Sequence, residues 1–162
     1  MTTSPDLRFL MCHPAHFLAL GFGSGLAPKA PGTFGTLVAL PLFYALMWLP
    51  ESWQLPLMVL LFLIGIPVCQ KVGDALGVSD HGSIVWDEIV AMLMVLEFAP
   101  RNLYWWAAAF LLFRLFDIWK PFPIRQFDTR LKGGFGVMFD DLLAALYAIA
   151  TLKALLWLTM HF

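Results

Sequence analysis

The chain has 162 residues, of which 60% are apolar and only 13% are charged. This balance lies outside the range of ordinary soluble domains and predicts one compact domain, 1–162, embedded in a membrane. The formal net charge of -1 excludes the strong positive field that non-specific nucleic-acid binding requires. Cys12 and Cys69 are too few for a zinc site or a disulfide framework.

Five apolar stretches follow one another along the chain, separated by segments rich in glycine, proline and charge. Because they lack the alternation of half-buried strands, we predict an all-α, polytopic membrane protein with four to five spans. Several stretches are short, because a helix of about 15 residues is only about 22 Å long, whereas the hydrocarbon core of a bilayer is about 30 Å thick. Four spans plus one interfacial helix is therefore the alternative. The stretches are 36–49, 55–69, 84–99, 103–119 and 142–159.

The basic residues predict the orientation of these spans. If all five cross, the connections 50–54 and 100–102 lie on one side, while 1–35, 70–83 and the glycine-containing loop 120–139 lie on the other. The first side contains only Arg101. The second side contains Arg8, Lys29, Lys71, Lys120, Arg125, Arg130 and Lys132. The positive-inside rule places the second side, with the N-terminus, in the cytoplasm.

The acidic residues gather on this same predicted cytoplasmic side, and only Glu51 and Glu97 do not. They fall in its loops or within about one turn of its helix ends. We therefore expect active-site loops at the cytoplasmic face. The acids in question are Asp74, Asp80, Asp87, Glu88, Asp117, Asp128, Asp140 and Asp141.

The first predicted loop, 21–36, is rich in glycine and ends where the first apolar stretch begins. Its backbone amides, with Lys29 and Thr33, are suited to cradling an anion. It matches neither the Walker A pattern nor the dinucleotide fingerprint. A plain structural turn is the alternative interpretation.

Two adjacent carboxylates, Asp87 and Glu88, lie just inside the third apolar stretch. An unpaired charge there is expensive unless a partner or a cation neutralises it. Magnesium prefers carboxylate oxygens and commonly binds beside a substrate phosphate, so we predict Mg²⁺ as the cofactor. The alternative is an ion pair with Arg114 or Lys120, or capping of the helix N-terminus by the acids.

Arg114, Asp117 and Lys120 recur every three residues near the end of the fourth stretch, before Pro121. This spacing places them on one broad helix face, and the proline marks the helix boundary. Two cations and an acid on one face suit a metal-bound phosphate. Alternatively, Lys120 anchors the helix by extending to lipid head groups.

A second acidic pair, Asp140 and Asp141, is predicted to open the last apolar helix as Asp87 and Glu88 open the third. Adjacent helical residues point about 100° apart. In each pair, one acid can therefore face the bundle interior while the other faces a neighbouring helix.

A covalent mechanism has little support, since neither cysteine precedes an arginine by six positions and no Asp-x-Asp motif occurs. We predict a metal-activated water as the nucleophile, with one spare carboxylate accepting its proton. Arg114 or Lys120 would stabilise charge on the phosphoryl oxygens.

With these residues in view, the chain resembles the phosphatidylglycerophosphatase A family of bacterial membrane enzymes. The resemblance rests on four blocks: 23–28 leading into 31–33, 84–88, 114–121, and Gly133-Gly134 followed by Asp140-Asp141. It implies an all-helical, magnesium-dependent enzyme of the inner membrane that removes the terminal phosphate of phosphatidylglycerophosphate. The residues carried over as metal or acid-base groups are Asp87, Glu88, Asp117, Asp140 and Asp141.

The predicted site combines these lines of reasoning, with a phospholipid as substrate and membrane lipids as surroundings. Catalysis is assigned to Asp87, Glu88, Asp117 and Asp141, and the metal to Glu88, Asp140, Asp141 and Asp87. The substrate phosphate is assigned to Lys29, Thr33, Arg114, Lys120 and Asp80. The alternative function is an ion-coupled transporter or channel that uses the same carboxylates.

Overall fold

The computed structural model describes residues 5–161, so the ends of the predicted domain, 1–4 and 162, lie outside the described residues. The described part is helical and contains no strand, which confirms the predicted all-α class. Its elements are α1 (Leu7–Cys12), α2 (Pro14–Ala19), a 3-10 helix (Gly21–Leu26), α3 (Pro31–Leu46), α4 (Glu51–Leu76), α5 (Trp86–Glu97), α6 (Leu103–Trp119), α7 (Ile124–Arg130) and α8 (Gly133–His161).

Two helices are long and apolar enough to cross a membrane by length and composition. These are α4, with 26 residues, and α8, with 29. At 1.5 Å per residue both exceed the roughly 30 Å of a hydrocarbon core. Helix α3 is apolar but shorter. The predicted number of spans, four to five, stays a prediction.

Helix α5 forms the centre of the bundle. Ten of its 12 residues are buried, and it packs against α3, α4, α6 and α8. A helix that is apolar on nearly every face requires neighbours on nearly every face. The first turn of α5 holds Asp87 and Glu88, so this packing surrounds both carboxylates with other helices.

Helix α8 begins at Gly133, whereas the sequence predicted a loop through residue 139. The N–H of Gly134 donates to Oε1 of Gln70 on α4 at 2.8 Å. A Cβ on Gly134 would collide with the carbonyl of Ile66. The glycines therefore allow close packing of two helices, as small residues do in membrane bundles. Asp140 and Asp141 consequently lie about two turns inside α8, and the prediction that they open it is wrong.

Helix α3 likewise begins earlier than predicted, at Pro31 rather than at residue 36. Proline is favoured in the first turn of a helix, because the N–H that it lacks has no partner there. Gly32 and Gly35 are therefore helical, and the predicted loop is shortened. The three carboxylates that meet in the structure, Glu88, Asp117 and Asp141, all lie on helices, and the predicted active-site loops stay a prediction.

Candidate active site

Three carboxylates from three different helices converge beside the start of α5. Glu88 on α5, Asp117 on α6 and Asp141 on α8 each place one oxygen within 4.8 Å of the others. The Glu88 and Asp117 side chains are only 15% and 12% exposed, and Asp141 is 3% exposed. Helix packing thus brings together acids that are far apart in the sequence.

Arg114 lies beside two of these carboxylates. Its Nη1 is 3.0 Å from Oε1 of Glu88 and 2.6 Å from Oδ2 of Asp117. The same nitrogen donates to Oγ1 of Thr36 at 3.4 Å, and the Thr36 hydroxyl donates to the Gly32 carbonyl at 2.9 Å. Thr36 is fully buried. The sequence interpretation gave this threonine no role, because no motif separates it from other helix threonines.

Several buried oxygens around this cluster have no partner among residues 5–161. They are Oδ1 of Asp87, Oε2 of Glu88 and Oδ2 of Asp141. Leaving buried carboxylate oxygens unpaired is costly unless a cation or a proton neutralises them. A set of carboxylate oxygens without thiolates or imidazoles suits a hard divalent cation. The residues present therefore fit Mg²⁺.

Lys120 joins a second pair of acids next to the first cluster. Its Nζ donates to Oδ1 of Asp128 at 2.9 Å and to Oδ2 of Asp140. Burial acts to lower the pKa of Lys120, but the Asp140 and Asp128 carboxylates outweigh it, and the pKa lies above its ordinary value. Lys120 therefore stays charged and forms an ion pair with Asp140.

The ion-pair alternative is therefore realised for one acid of each adjacent pair. Glu88 pairs with Arg114, and Asp140 pairs with Lys120. Asp87 and Asp141 have no ion pair within the described residues. Oxygens free to bind a cation or to accept a proton therefore remain on Asp87 and Asp141, and on Glu88 through its Oε2.

The residues predicted to hold the substrate phosphate do not form one group. A cavity of about 170 Å³ is lined by Asp80, Asp128 and Lys132, among others. Lys29 is exposed, and Thr33 is half-buried in the first turn of α3. In the described part of the chain, neither forms an ion pair or a side-chain hydrogen bond with the carboxylates. Their phosphate-binding role stays a prediction.

The glycines of α3 make room for the Glu88 side chain. A Cβ at Gly32 would overlap the Glu88 carboxylate, and a Cβ at Gly35 would lie 2.6 Å from Cβ of Val85 and 3.3 Å from Oε2 of Glu88. These glycines were predicted to form a loop that cradles an anion with its amides. The structure shows instead that their missing side chains leave space for a carboxylate.

Comparison with known proteins gives a consistent family. The sequence model of the family described as Phosphatidylglycerophosphatase A matches residues 17–156. A relative of that name from Escherichia coli (strain K12) is 46% identical over 148 residues, covering 90% of this chain and 85% of the relative. Another from Haemophilus influenzae is 48% identical over 154 residues and covers 94% of each chain.

A third relative, from Bacteroides thetaiotaomicron, is provisionally named a phosphatidylinositol-3-phosphatase. It is 38% identical over 86% of this chain and 92% of its own length. No solved structure matched the chain. The match across residues 17–156 and the identities with the first two relatives confirm the resemblance seen in the motifs. This chain therefore belongs to the phosphatidylglycerophosphatase A family.

Proposed function

We propose that this protein hydrolyses the terminal phosphate monoester of phosphatidylglycerophosphate, releasing phosphatidylglycerol and phosphate, at a Mg²⁺-dependent carboxylate site. The observation that supports it best is the meeting of Glu88, Asp117 and Asp141 within 4.8 Å, with buried oxygens that lack partners. The identity of the substrate is inferred from the names of the family and of its relatives.

Glu88, Asp117 and Asp141 would hold the metal. Bound there, Mg²⁺ would supply a Lewis acid and lower the pKa of a coordinated water. Asp87, which has a free buried oxygen and no ion pair, is suited to accept the proton of the attacking water. As the water oxygen bonds to phosphorus, the ester P–O bond breaks; the leaving glycerol oxygen takes a proton from solvent, and Asp87 then returns the proton of the attacking water to solvent. The Arg114 guanidinium, already at the cluster, would stabilise charge on the phosphoryl oxygens.

The test is phosphate release by the purified protein in detergent micelles that contain phosphatidylglycerophosphate. We expect release with Mg²⁺ and loss of release with a chelator, restored by adding Mg²⁺ back. Phosphatidylinositol 3-phosphate serves as a second substrate, because of the name of the Bacteroides relative. Hydrolysis that resists the chelator would contradict the metal site, and release from the second substrate alone would contradict the proposed substrate.

The transporter or channel alternative has no support from the family match or from the relatives. A conduction path is expected to place charge along the middle of the bundle. In the central helix α5, residues 89–96 between Glu88 and Glu97 are all apolar.

We further propose that this protein crosses the inner membrane several times and has its site at the cytoplasmic face. The distribution of its basic residues supports this arrangement. Single cysteines at Gln126 and at Ser52, in a chain with Cys12 and Cys69 replaced by serine, test this arrangement. Both positions are exposed. We expect a membrane-impermeant thiol reagent to label Ser52→Cys from outside intact cells and Gln126→Cys only after lysis. Labelling of both from the same side would contradict the orientation.

Gly32→Ala is expected to lower phosphate release by roughly 10- to 100-fold, because its Cβ displaces the Glu88 carboxylate and small misplacements in a site are costly. The matched control is Gly82→Ala, since a Cβ at Gly82 meets nothing within 4 Å. Steady-state kinetics of the two variants check the prediction. Equal activity of both variants would show that the position of Glu88 is unimportant.

A further inference from the structure

Helices α1 and α2 precede the longer helices, and we call residues 7–19 the N-terminal arm. Each helix has six residues, which is about 9 Å of helix. Neither can cross the roughly 30 Å of a hydrocarbon core. The family model matches from residue 17 onwards, so α1 and the first half of α2 lie outside the matched segment.

A contact with α4 fixes the depth of the N-terminal arm. Nζ of Lys71 lies 2.7 Å from Nε2 of His13, the residue between α1 and α2. Helix α4 is long and apolar enough to cross a membrane, and Lys71 is its first charged residue after Glu51. Lysines near the ends of membrane spans extend to the interface between lipid and water. In a multi-pass arrangement, the arm therefore lies where α4 leaves the hydrocarbon core.

The arm is also hydrogen-bonded to the start of α5. The N–H of Val85, which precedes α5, donates to the Ala19 carbonyl at 2.9 Å. The first turn of α5 holds Asp87 and Glu88. The arm therefore lies at the end of the bundle that holds the candidate site.

The arm exposes large apolar side chains. Leu7 and Met11 are 71% and 73% exposed, and Phe17 is 39% exposed. Met11 and Phe17 line one recess of about 300 Å³, so α1 and α2 share this surface. The Phe17 ring meets the Phe22 ring edge to face, with centroids 5.4 Å apart. Phe22 lines an apolar groove with residues of α3 and α4, so the apolar surface continues from the arm onto the sides of these helices.

Two exposed cations lie beside this surface. Arg8 is three residues before Met11 and is therefore its neighbour on the surface of α1. Lys71 contacts His13, which lines the recess. Within the described residues, neither cation forms an ion pair. The acid next to the arm, Asp6, accepts the N–H of residue 9 at 2.8 Å and caps α1.

We propose that the N-terminal arm lies in the interface between the bilayer and water, with its apolar side chains among the lipids and with Arg8 and Lys71 at anionic head groups. Helices with an apolar and a basic face bind membranes in this way, and cations near the surface are attracted to anionic lipids. Through the bond between Val85 and Ala19, the arm then holds the first turn of α5 close to the head groups. The inference rests on the proposed membrane arrangement and not on the proposed hydrolysis.

Quenching by spin-labelled lipids tests the position of the arm. The full chain, with Cys12 and Cys69 replaced by serine, is reconstituted in vesicles and carries a fluorophore on Met11→Cys. The matched control is Gly82→Cys, which is exposed in the loop between α4 and α5, where a Cβ meets nothing within 4 Å. We expect lipids with a nitroxide near the head group to quench the label at position 11 strongly and the label at position 82 little. Equal or weaker quenching at position 11 would overturn the interfacial arm.

A third label separates this inference from the membrane arrangement on which it rests. Leu63 is 55% exposed in the middle of α4, so a label on Leu63→Cys should be quenched by lipids with a deep nitroxide. Quenching there without quenching of Met11→Cys would overturn the arm alone. Absence of quenching at both positions would contradict the membrane arrangement and the arm with it.

Amide hydrogen exchange tests the role of the cations. Exchange of residues 7–12 is compared in phosphatidylcholine vesicles with and without phosphatidylserine, which supplies negative charge without being a product of the proposed reaction. We expect phosphatidylserine to slow exchange about five-fold for each cation at the surface, and Arg8→Gln to remove the factor for one cation. Lys153→Gln, whose lysine lies over the Phe98 ring just beyond the other end of α5, should change nothing. Equal exchange in both kinds of vesicle would overturn the binding of anionic lipid.

A second copy of the chain is the competing partner for the apolar surface. If two copies met there, Met11→Cys would form a disulfide-linked dimer on oxidation, and its label would escape quenching. We expect the oxidised chain to remain a monomer in electrophoresis without reductant. A linked dimer together with an unquenched label would overturn the proposal.

Discussion

Asp141→Asn should abolish most Mg²⁺-dependent phosphate release while leaving the protein folded. The expected loss is roughly 100- to 1,000-fold in kcat, the range for removing one group that stabilises transition-state charge. Asp141 is 3% exposed, has a buried oxygen without a partner and lies with Glu88 and Asp117. Replacing it by the isosteric amide removes an anionic metal ligand and little volume. Calorimetric titration with Mg²⁺ should show weakened binding in the same variant.

Glu97→Gln is the control for this substitution. Glu97 also has an oxygen without a partner among the described residues, but it ends α5, about two and a half turns from Glu88 near the start of that helix. We expect its activity and Mg²⁺ affinity to match the wild type. If Asp141→Asn retained full activity and full Mg²⁺ affinity, Asp141 would be neither a metal ligand nor a catalytic group.

Arg114→Met should lower the stability of the protein strongly, in addition to its effect on activity. The substitution leaves the carboxylates of Glu88 and Asp117 without the cation that lies 3.0 Å and 2.6 Å from them. Removing one partner of a largely buried ion pair typically costs about 3–5 kcal/mol, because the remaining charge is uncompensated. Thermal melting in detergent, followed by circular dichroism, measures the effect. Adding Glu88→Gln to Arg114→Met should recover part of the loss.

Arg101→Met provides the comparison for an exposed pair. Arg101 lies 3.1 Å from Glu51, with side chains 42% and 78% exposed. Exposed ion pairs contribute about 0–1 kcal/mol, so the melting temperature should change little. Equal destabilisation by the two methionine substitutions would contradict a special role for Arg114 at the carboxylate cluster.

Much of the helical architecture was predictable, because long apolar runs without alternation permit little else in a membrane. The starts of α3 and α8 were not, although α6 has the predicted bounds 103 and 119. Glycines at 32–35 and 133–136 predicted loops, yet all belong to helices. Glycine weakens an isolated helix, but it is required where a neighbouring carboxylate or backbone occupies the space of a Cβ. That requirement depends on the partner helix and is invisible in the local sequence.

The candidate site, like the fold, was predictable from the sequence only in part. The acid types, their adjacent pairs and the Arg114–Asp117 spacing are visible in the sequence and led to the family that the comparisons confirm. The convergence of Glu88, Asp117 and Asp141 is compatible with those patterns. The role of Thr36 was missed because its contact with Arg114 joins α3 to α6, and nothing in the sequence pairs those helices.

The sequence by itself determined the helical class, the family and the set of acids and cations available to the site. Only the tertiary structure decided which acid of each pair meets a cation: Glu88 meets Arg114, and Asp140 meets Lys120. Two adjacent helical side chains point about 100° apart. Which of them reaches a cation depends on where the neighbouring helices pack, and helix packing is set by contacts between residues far apart in the chain.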